Sequence, residues 1–298
     1  MALVTHLRSI AVSARNPAGL LPFYEHTWGL QRVAETGDGG VLLRARGREH
    51  HVLALVPGED HALERVTLGA ASPADVDAVA ERVRAAGLPV EREPAPSAEP
   101  GGGYRTVVRD PEGRRVEIAA ELAEHAEPAE RPFGPDRLSH VVLNATDLPA
   151  SRDFFVGLLG FRISDMYEKD LMVFLTCNEV HHCVVLTPGR WTSLNHVAFE
   201  VASGDEVMRA LGRMRKAGVD TIWGPGRHGP GGNVFCYFTD PAGNVIEYTA
   251  ELHTIDESWE PKVWARTPEN ADVWGTGGGL TPEVIAAMSN PPAAERAR

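Results

Sequence analysis

Cysteine is scarce in this chain and poorly spaced for cross-linking. Cys177, Cys183 and Cys236 make an odd number with no Cys-x-x-Cys pair, which argues against a disulfide framework and a thiolate zinc site; three buried, reduced thiols are expected. Long apolar runs are missing as well. No window approaches the ~20 apolar residues of a spanning helix, and the opening MALVTHLRSI has no apolar segment behind a basic start, so no membrane partner and a cytoplasmic location are expected. Positive charge is in deficit. The 29 Lys+Arg face 41 Asp+Glu, a formal net charge of −12, the wrong sign for neutralising phosphates, so no nucleic-acid partner is expected. What remains is 298 residues, 43% of them hydrophobic, enough for two ordinary globular domains and a small-molecule ligand.

The chain is written twice. LRSIAVSARNPAGLLPFYEHTWGL from Leu7 matches LSHVVLNATDLPASRDFFVGLLGF from Leu138, pairing Phe23 with Phe154 and Gly29 with Gly160 at an offset of 131. HHVLALVP at His50 matches HHCVVLTP at His181 by the same offset, and TVVRDPEGRRVEIAAEL at Thr106 matches CYFTDPAGNVIEYTAEL at Cys236 by 130. A single deletion across a whole module marks a duplication, and the repeat sets the architecture.

Within each copy a β-branched run, an amphipathic helix and several short strands occur twice. Leu20, Phe23 and Tyr24, like Phe154, Phe155 and Leu158, are assigned to one helical face. The second helices, Pro73 to Ala86 and Gly204 to Ala217, end at glycine, and the Asp-Pro-x-Gly elements at Asp110 and Asp240 are strand-joining turns. The expected fold is α+β. Two tandem modules, 1–124 and 138–252, each hold two βαβββ units curled into a cupped mixed sheet, and a linker rich in proline and charge joins them at 125–137. The tail, 253–298, has no counterpart in the first copy. It carries Trp259, Trp264 and Trp274, a glycine run and a capped helix from Thr281; partial closure of a pocket, as a lid, is expected, with sheet-edge cover or subunit packing as alternatives.

Three residues of the second copy stand out: His140 in LSHVVL, His196 in LNHVAFEV and Glu247 in NVIEYTAEL. Each alone is more often a hydrogen-bonded structural group. Together, at separations of 56 and 51 residues that only a fold can bring together, two imidazoles and a carboxylate make a facial site with open positions that suits non-haem Fe(II), whereas zinc is more often closed and tetrahedral. The first copy serves as an internal control. It has Ser9, Arg65 and Glu117 at those places, so the metal is expected in the second module alone, and a buried Arg65–Glu117 pair is expected to stand in for it in the first.

These residues, on this repeat, resemble the type I extradiol catechol dioxygenases of the vicinal oxygen chelate superfamily, from Leu7 to about Asp256 and most specifically from Leu138 to Leu252. The resemblance implies Fe(II), or Mn(II) as in some members, on His140, His196 and Glu247, with O2 as co-substrate. It implies His182 as acid/base beside the oxygen site, Tyr237 as hydrogen-bond partner of a catecholate oxygen, and His228 close to Tyr237. A catechol must lose protons to chelate a metal, and oxygen must gain one before the ring opens, tasks for groups that titrate near and above neutrality. The implied reaction opens the ring beside the diol, giving a semialdehyde-type product, in a homo-oligomer.

The homoprotocatechuate branch holds its substrate carboxylate with arginines, where this chain has Trp223 and Ala271. With Phe174 these are the expected pocket lining, and they imply a catechol with an uncharged or aryl substituent. Branches acting on dihydroxybiphenyl-like substrates often carry an aspartate where this chain has Gly231. Alternatives within the superfamily are another metal-dependent enzyme, a glyoxalase-like isomerase or a 2-oxo acid dioxygenase, and a non-catalytic protein that sequesters ligands without metal.

Overall fold

The computed structural model describes residues 2–59, 61–292 and 295; positions 293, 294 and 296–298 of the expected tail lie outside the described residues. The first copy runs β1 (His6–Ala14), α1 (Pro17–Pro22), β2 (Gln31–Glu35), β3 (Val41–Arg44) and β4 (Leu53–Pro57), then β5 (Leu63–Gly69), α2 (Pro73–Ala85), β6 (Val90–Pro96), β7 (Tyr104–Arg109) and β8 (Arg115–Ala120). The second repeats this with β9 (Arg137–Ala145), α3 (Leu148–Asp153), β10 (Arg162–Tyr167), β11 (Met172–Thr176) and β12 (Val184–Pro188), then β13 (Ser193–Glu200), α4 (Gly204–Lys216), β14 (Trp223–Arg227), β15 (Val234–Thr239) and β16 (Val245–Ala250). Both copies are thus pairs of βαβββ units, as expected. The tail adds β17 (Lys262–Trp264), α5 (Pro268–Ala271) and α6 (Pro282–Ser289). Among the described residues no helix is long and apolar enough to cross a membrane.

Each copy forms one mixed sheet, ordered β2-β3-β4-β1-β5-β8-β7-β6 and β14-β15-β16-β13-β9-β12-β11-β10-β17. In both, the two units meet through their first strands, β1 against β5 and β9 against β13, antiparallel. The helices cover one face of each sheet, where apolar side chains of both modules merge into one core. The opposite faces are free to form cups.

One expectation about the helices needs correction. A period of 3.6 residues puts Phe23 and Leu158 on the buried face, yet both are only partly buried, while Trp28 and Leu159 are enclosed. The helix after α1, and likewise after α3, widens into a π-helical turn (Phe23–Trp28 and Phe154–Leu159). The Gly29 N–H donates to the Tyr24 carbonyl at 2.9 Å, and the wider turn rotates the inward face by about one position. Gly29 and Gly160 close the turns at φ +94° and +85°, a conformation open to glycine at little cost. Trp28 then crosses into the second module and stacks on Tyr248 at 3.7 Å between centroids, while the Tyr24 hydroxyl donates to Asp240 at 2.7 Å. The thiols are all free, but Cys177 is half-buried, so only Cys183 and Cys236 match the expected burial.

In the first cup Arg65 and Glu117 do meet, Nη1 to Oε2 at 3.5 Å, but Arg65 remains 22% exposed. The buried pair expected there is a shared cluster instead. Arg92 lies closer to Glu117, at 2.7 Å, and Arg105 stands at 3.5 Å, while Glu99 takes second contacts from Arg92 and Arg105. Three long stems reach one carboxylate, so Arg65 can leave its guanidinium near water.

Glu117→Ala strands those guanidiniums and should cost about 3–5 kcal/mol in urea unfolding; a loss below 1 kcal/mol would show the cluster to be solvated. His51, close by, has its pKa pushed down to about 3 by burial and by His50 and nearby arginines. Its folded value lies below the ordinary one, so unfolding takes up a proton between those values, and stability is intact above about pH 6.5 and falls as pH drops towards about 3. Replacing it by Gln should therefore remove about 2 kcal/mol of the stability lost between pH 7 and pH 5.

Candidate metal centre

The register of the second sheet assembles the site. Across β14, β15, β16, β13 and β9, the residues Trp223, Tyr237, Glu247, Ala198 and His140 are successive cross-strand partners. A register shift between Leu194 and His196 sets His196 opposite Val142, and Val142 is in turn the partner of Val185, and Val185 of Phe174. Because side chains alternate along a strand, these two adjacent rows share one face. Ala198 is the small residue that leaves space among His140, His196 and Glu247.

His140 Nε2 and His196 Nε2 stand 3.3 and 3.4 Å from Glu247 Oε2, and the three donor atoms lie within 4.8 Å of one another. All three residues are buried. His196 Nε2 and Glu247 Oε2 nevertheless lack a hydrogen-bond partner. Such orphaned polar atoms are costly in a protein interior, and a metal ion satisfies them: bonds of ~2.1 Å place adjacent donors about 3 Å apart. The donor set therefore fits a divalent metal.

The other ring nitrogens are already committed, which orients each imidazole. His196 Nδ1 lies 2.7 Å from Asn195 Oδ1, and His140 Nδ1 lies 3.3 Å from Ser139 Oγ. Asn233 donates towards the second Glu247 oxygen at 3.4 Å. Burial raises the Glu247 pKa, but the His140 and His196 imidazoles outweigh it and hold the carboxyl well below its usual range. Burial pushes His196 down. Asn195, immediately before a ligand-type histidine, was a local signal left unread; Ser139 likewise precedes His140.

His182, Tyr237 and His228 are gathered around this set. The His182 ring is 4.6 Å from that of His140, and burial, with His140 and His181 beside it, pushes its pKa well down. His228 Nδ1 contacts the Ala271 carbonyl at 2.7 Å and so carries a hydrogen; its Nε2, 3.0 Å from the Tyr237 oxygen, then accepts from that phenol. Burial lowers His228 to about 4. Burial and Glu247 raise Tyr237 well above a free phenol.

These groups floor a cavity of about 350 Å³. Phe174, Trp223 and Ala271 all line it, as expected, together with Met172, Val142 and Val185. Its outer wall comes from the tail, but through Leu280, Ile285 and Met288. Trp259, Trp264 and Trp274 are not among the lining residues: Trp259 and Trp264 bond to Ser164 and Asp165 of β10, where β17 extends the sheet edge. An indole N–H suits a buried acceptor at that edge better than an apolar pocket. Arg190 and Arg266, which the sequence did not single out, also line the cavity; both are exposed. Gly231 has φ +75°, and a Cβ there would come within 2.9 Å of His182 and 2.8 Å of Leu252, leaving no room for an acidic side chain.

A family model described as the glyoxalase/bleomycin resistance protein/dioxygenase superfamily matches residues 6–118 and 137–248. A biphenyl-2,3-diol 1,2-dioxygenase of Paraburkholderia xenovorans is 30% identical over 260 residues, 78% of this chain and 85% of that protein. Metapyrocatechase 2 of Cupriavidus necator is 37% identical over 123 residues, which span 41% of this chain and only 38% of that relative. Among solved structures, the Mn(II)-bound glyoxalase from Novosphingobium aromaticivorans superposes with a TM-score of 0.90 at 37% identity, over 95% of this chain and 94% of that one. With both halves of its duplication matched to one module, and a donor set in the second cup, this chain belongs to the glyoxalase/bleomycin resistance protein/dioxygenase superfamily.

Proposed function

We propose that this protein is an extradiol dioxygenase that opens a catechol-type ring beside its two hydroxyls and inserts both atoms of O2. The observation that carries the reading is a buried His–His–Glu set with unsatisfied donor atoms, opening onto an apolar cavity that also holds a Tyr–His pair. Named relatives catalyse this type of reaction. His140, His196 and Glu247 hold the metal; we assign Fe(II), with Mn(II) as the alternative, since relatives are named for each. When bound, the metal supplies open coordination positions and electron transfer between catecholate and dioxygen.

The remaining work belongs to side chains. The Tyr237 hydroxyl donates a hydrogen bond to His228 Nε2, so its oxygen lone pairs are free to accept from a catechol hydroxyl and guide its deprotonation. His182, neutral and buried, is placed to hold and return a proton beside the oxygen site. Phe174, Trp223 and Ala271 favour an uncharged alkyl or aryl substituent; both cavity arginines are exposed, and Arg190 lies over the Trp191 ring. In this reading residues 1–124 are a supporting module, 125–137 a linker, 138–252 the catalytic module and 253–298 a tail closing the outer wall. Exposed Val263, Val273 and Trp274 support a homo-oligomer, and three free thiols fit the reducing cytoplasm.

Anaerobic loading with Fe(II), followed by oxygen uptake and visible absorbance with a catechol panel, should show one O2 consumed per ring opened and a preference for apolar substituents over carboxylates. Loaded protein that takes up no oxygen with any catechol rules the reading out, and oxygen-independent turnover of a thiol adduct would favour the activity that the Novosphingobium neighbour's name suggests. His140→Ala and His196→Ala should lose both metal and turnover. His182→Ala should keep its metal while kcat falls by about 10²–10⁴; unchanged kcat would remove His182 from the chemistry.

A further inference from the structure

Behind His182 lies a buried chain that the reaction as described leaves unused. His182 Nδ1 is 2.8 Å from His181 Nδ1, and His181 Nε2 is 3.1 Å from Asp165 Oδ2. His181 Nε2 is buried and has no well-aligned hydrogen-bond partner; the Asp165 carboxylate is the charged group beside it. Asp165 itself is buried and gripped by the tail: Oδ1 accepts from the Lys262 backbone N–H at 2.8 Å and Oδ2 from Trp264 Nε1 at 2.7 Å. Burial raises its pKa, but the bonds from His181, Lys262 and Trp264 prevail and bring it below the usual aspartate value. We propose that Asp165 and His181 are positioning residues that lock His182 in one tautomer, with the hydrogen on Nδ1 and the Nε2 lone pair free, and that strand β17 of the tail sets this lock by holding Asp165.

The hydrogen positions follow from donor and acceptor counting. An ionised carboxylate only accepts, so His181 Nε2 carries a hydrogen. In a neutral ring Nδ1 is then an acceptor, and the His182 nitrogen facing it must donate. That leaves His182 Nε2 without a hydrogen, as a group that takes a proton first and returns it later must be. Phe174 and Trp259 wall the His181 ring at 6.0 and 5.5 Å between centroids, and residue 231 has no side chain to compete.

The duplication again supplies a control. The histidine pair recurs in the first module, where His50 Nδ1 lies 3.0 Å from His51 Nδ1. The position that follows the register shift of β10, Asp165, corresponds to Ala34 after the matching shift of β2, and among the described residues no tail strand covers that edge. Among the described residues the carboxylate and its clamp therefore stand beside the metal-type donor set and not in the first module.

The test is ¹⁵N-histidine NMR on the full-length protein loaded with Zn(II) as a diamagnetic ion. Wild type should show His182 as the Nδ1–H form. In Asp165→Asn the Oδ1 atom keeps the Lys262 bond while the amide nitrogen takes the place of Oδ2, where it can accept neither from Trp264 Nε1–H nor from His181 Nε2–H; it donates to His181 Nε2 instead, the chain inverts, and His182 should become the Nε2–H form. Nε2–H in wild type, or no change in the variant, overturns the proposal. If that variant does not fold, His181→Leu removes the acceptor and should likewise shift His182 away from Nδ1–H; retention of Nδ1–H there also overturns it. The catalytic consequence rests on the dioxygenase reading. Asp165→Asn should lower kcat by about 10²–10³ with metal content and catechol KM changed less than about threefold. A tautomer that inverts in a protein whose wild type never turns over a catechol would sink that reading and leave the lock standing.

Discussion

A carboxylate buried between two strands is the constraint around which both cups are built. Glu247 and Glu117 occupy corresponding places beside the first strand of a βαβββ unit, and each is shut off from water. An ionised group there must be compensated in place. The first module does it with protein alone, ringing Glu117 with Arg65, Arg92 and Arg105. In the second, two imidazoles face Glu247 and leave its Oε2 and His196 Nε2 unmatched. The same scaffold thus yields a self-sufficient charge cluster in one copy and a site that asks for a cation in the other.

That compensation depends on register more than on any local motif. His140 and Glu247 flank Ala198 across the sheet, and the shift after Leu194 carries His196 onto the neighbouring row. A one-residue slip of β13 would turn His196 to the helix-covered face and destroy the set. Register is held from behind, where apolar residues of both modules share one core and Trp28 of the first copy is seated on Tyr248 of the second. The module without the metal-type donors therefore contributes to the site by fixing the back of the sheet that carries it.

What the sequence reveals divides along the same line. The repeat offset placed His140, His196 and Glu247 in equivalent strands and showed which copy lacked the histidines, because duplication preserves position even where chemistry has changed. Arg92 and Arg105 were invisible, since they reach Glu117 from β6 and β7 with stems whose direction no periodicity encodes. The π-helical turns were missed for a related reason: a wheel drawn at 3.6 residues cannot register a bond from Gly29 to Tyr24. Trp259 and Trp264 were legible as apolar cover but not as hydrogen-bond donors, because Ser164 and Asp165 become their partners only once β17 lies beside β10.

The tail then has two physically separate jobs, and the distinction bears on how its sequence can vary. Leu280, Ile285 and Met288 face the cavity, where size and shape decide which substituent fits and where apolar exchanges of similar volume cost little. The segment around Lys262 and Trp264 faces a buried aspartate through one backbone N–H and one indole N–H, a geometry that tolerates little change because the carboxylate it holds has no water to fall back on. Changes in ligand preference are therefore available to the α6 end of the tail without disturbing the histidine pair behind the metal-type donors, whereas changes near β17 reach that pair directly through Asp165.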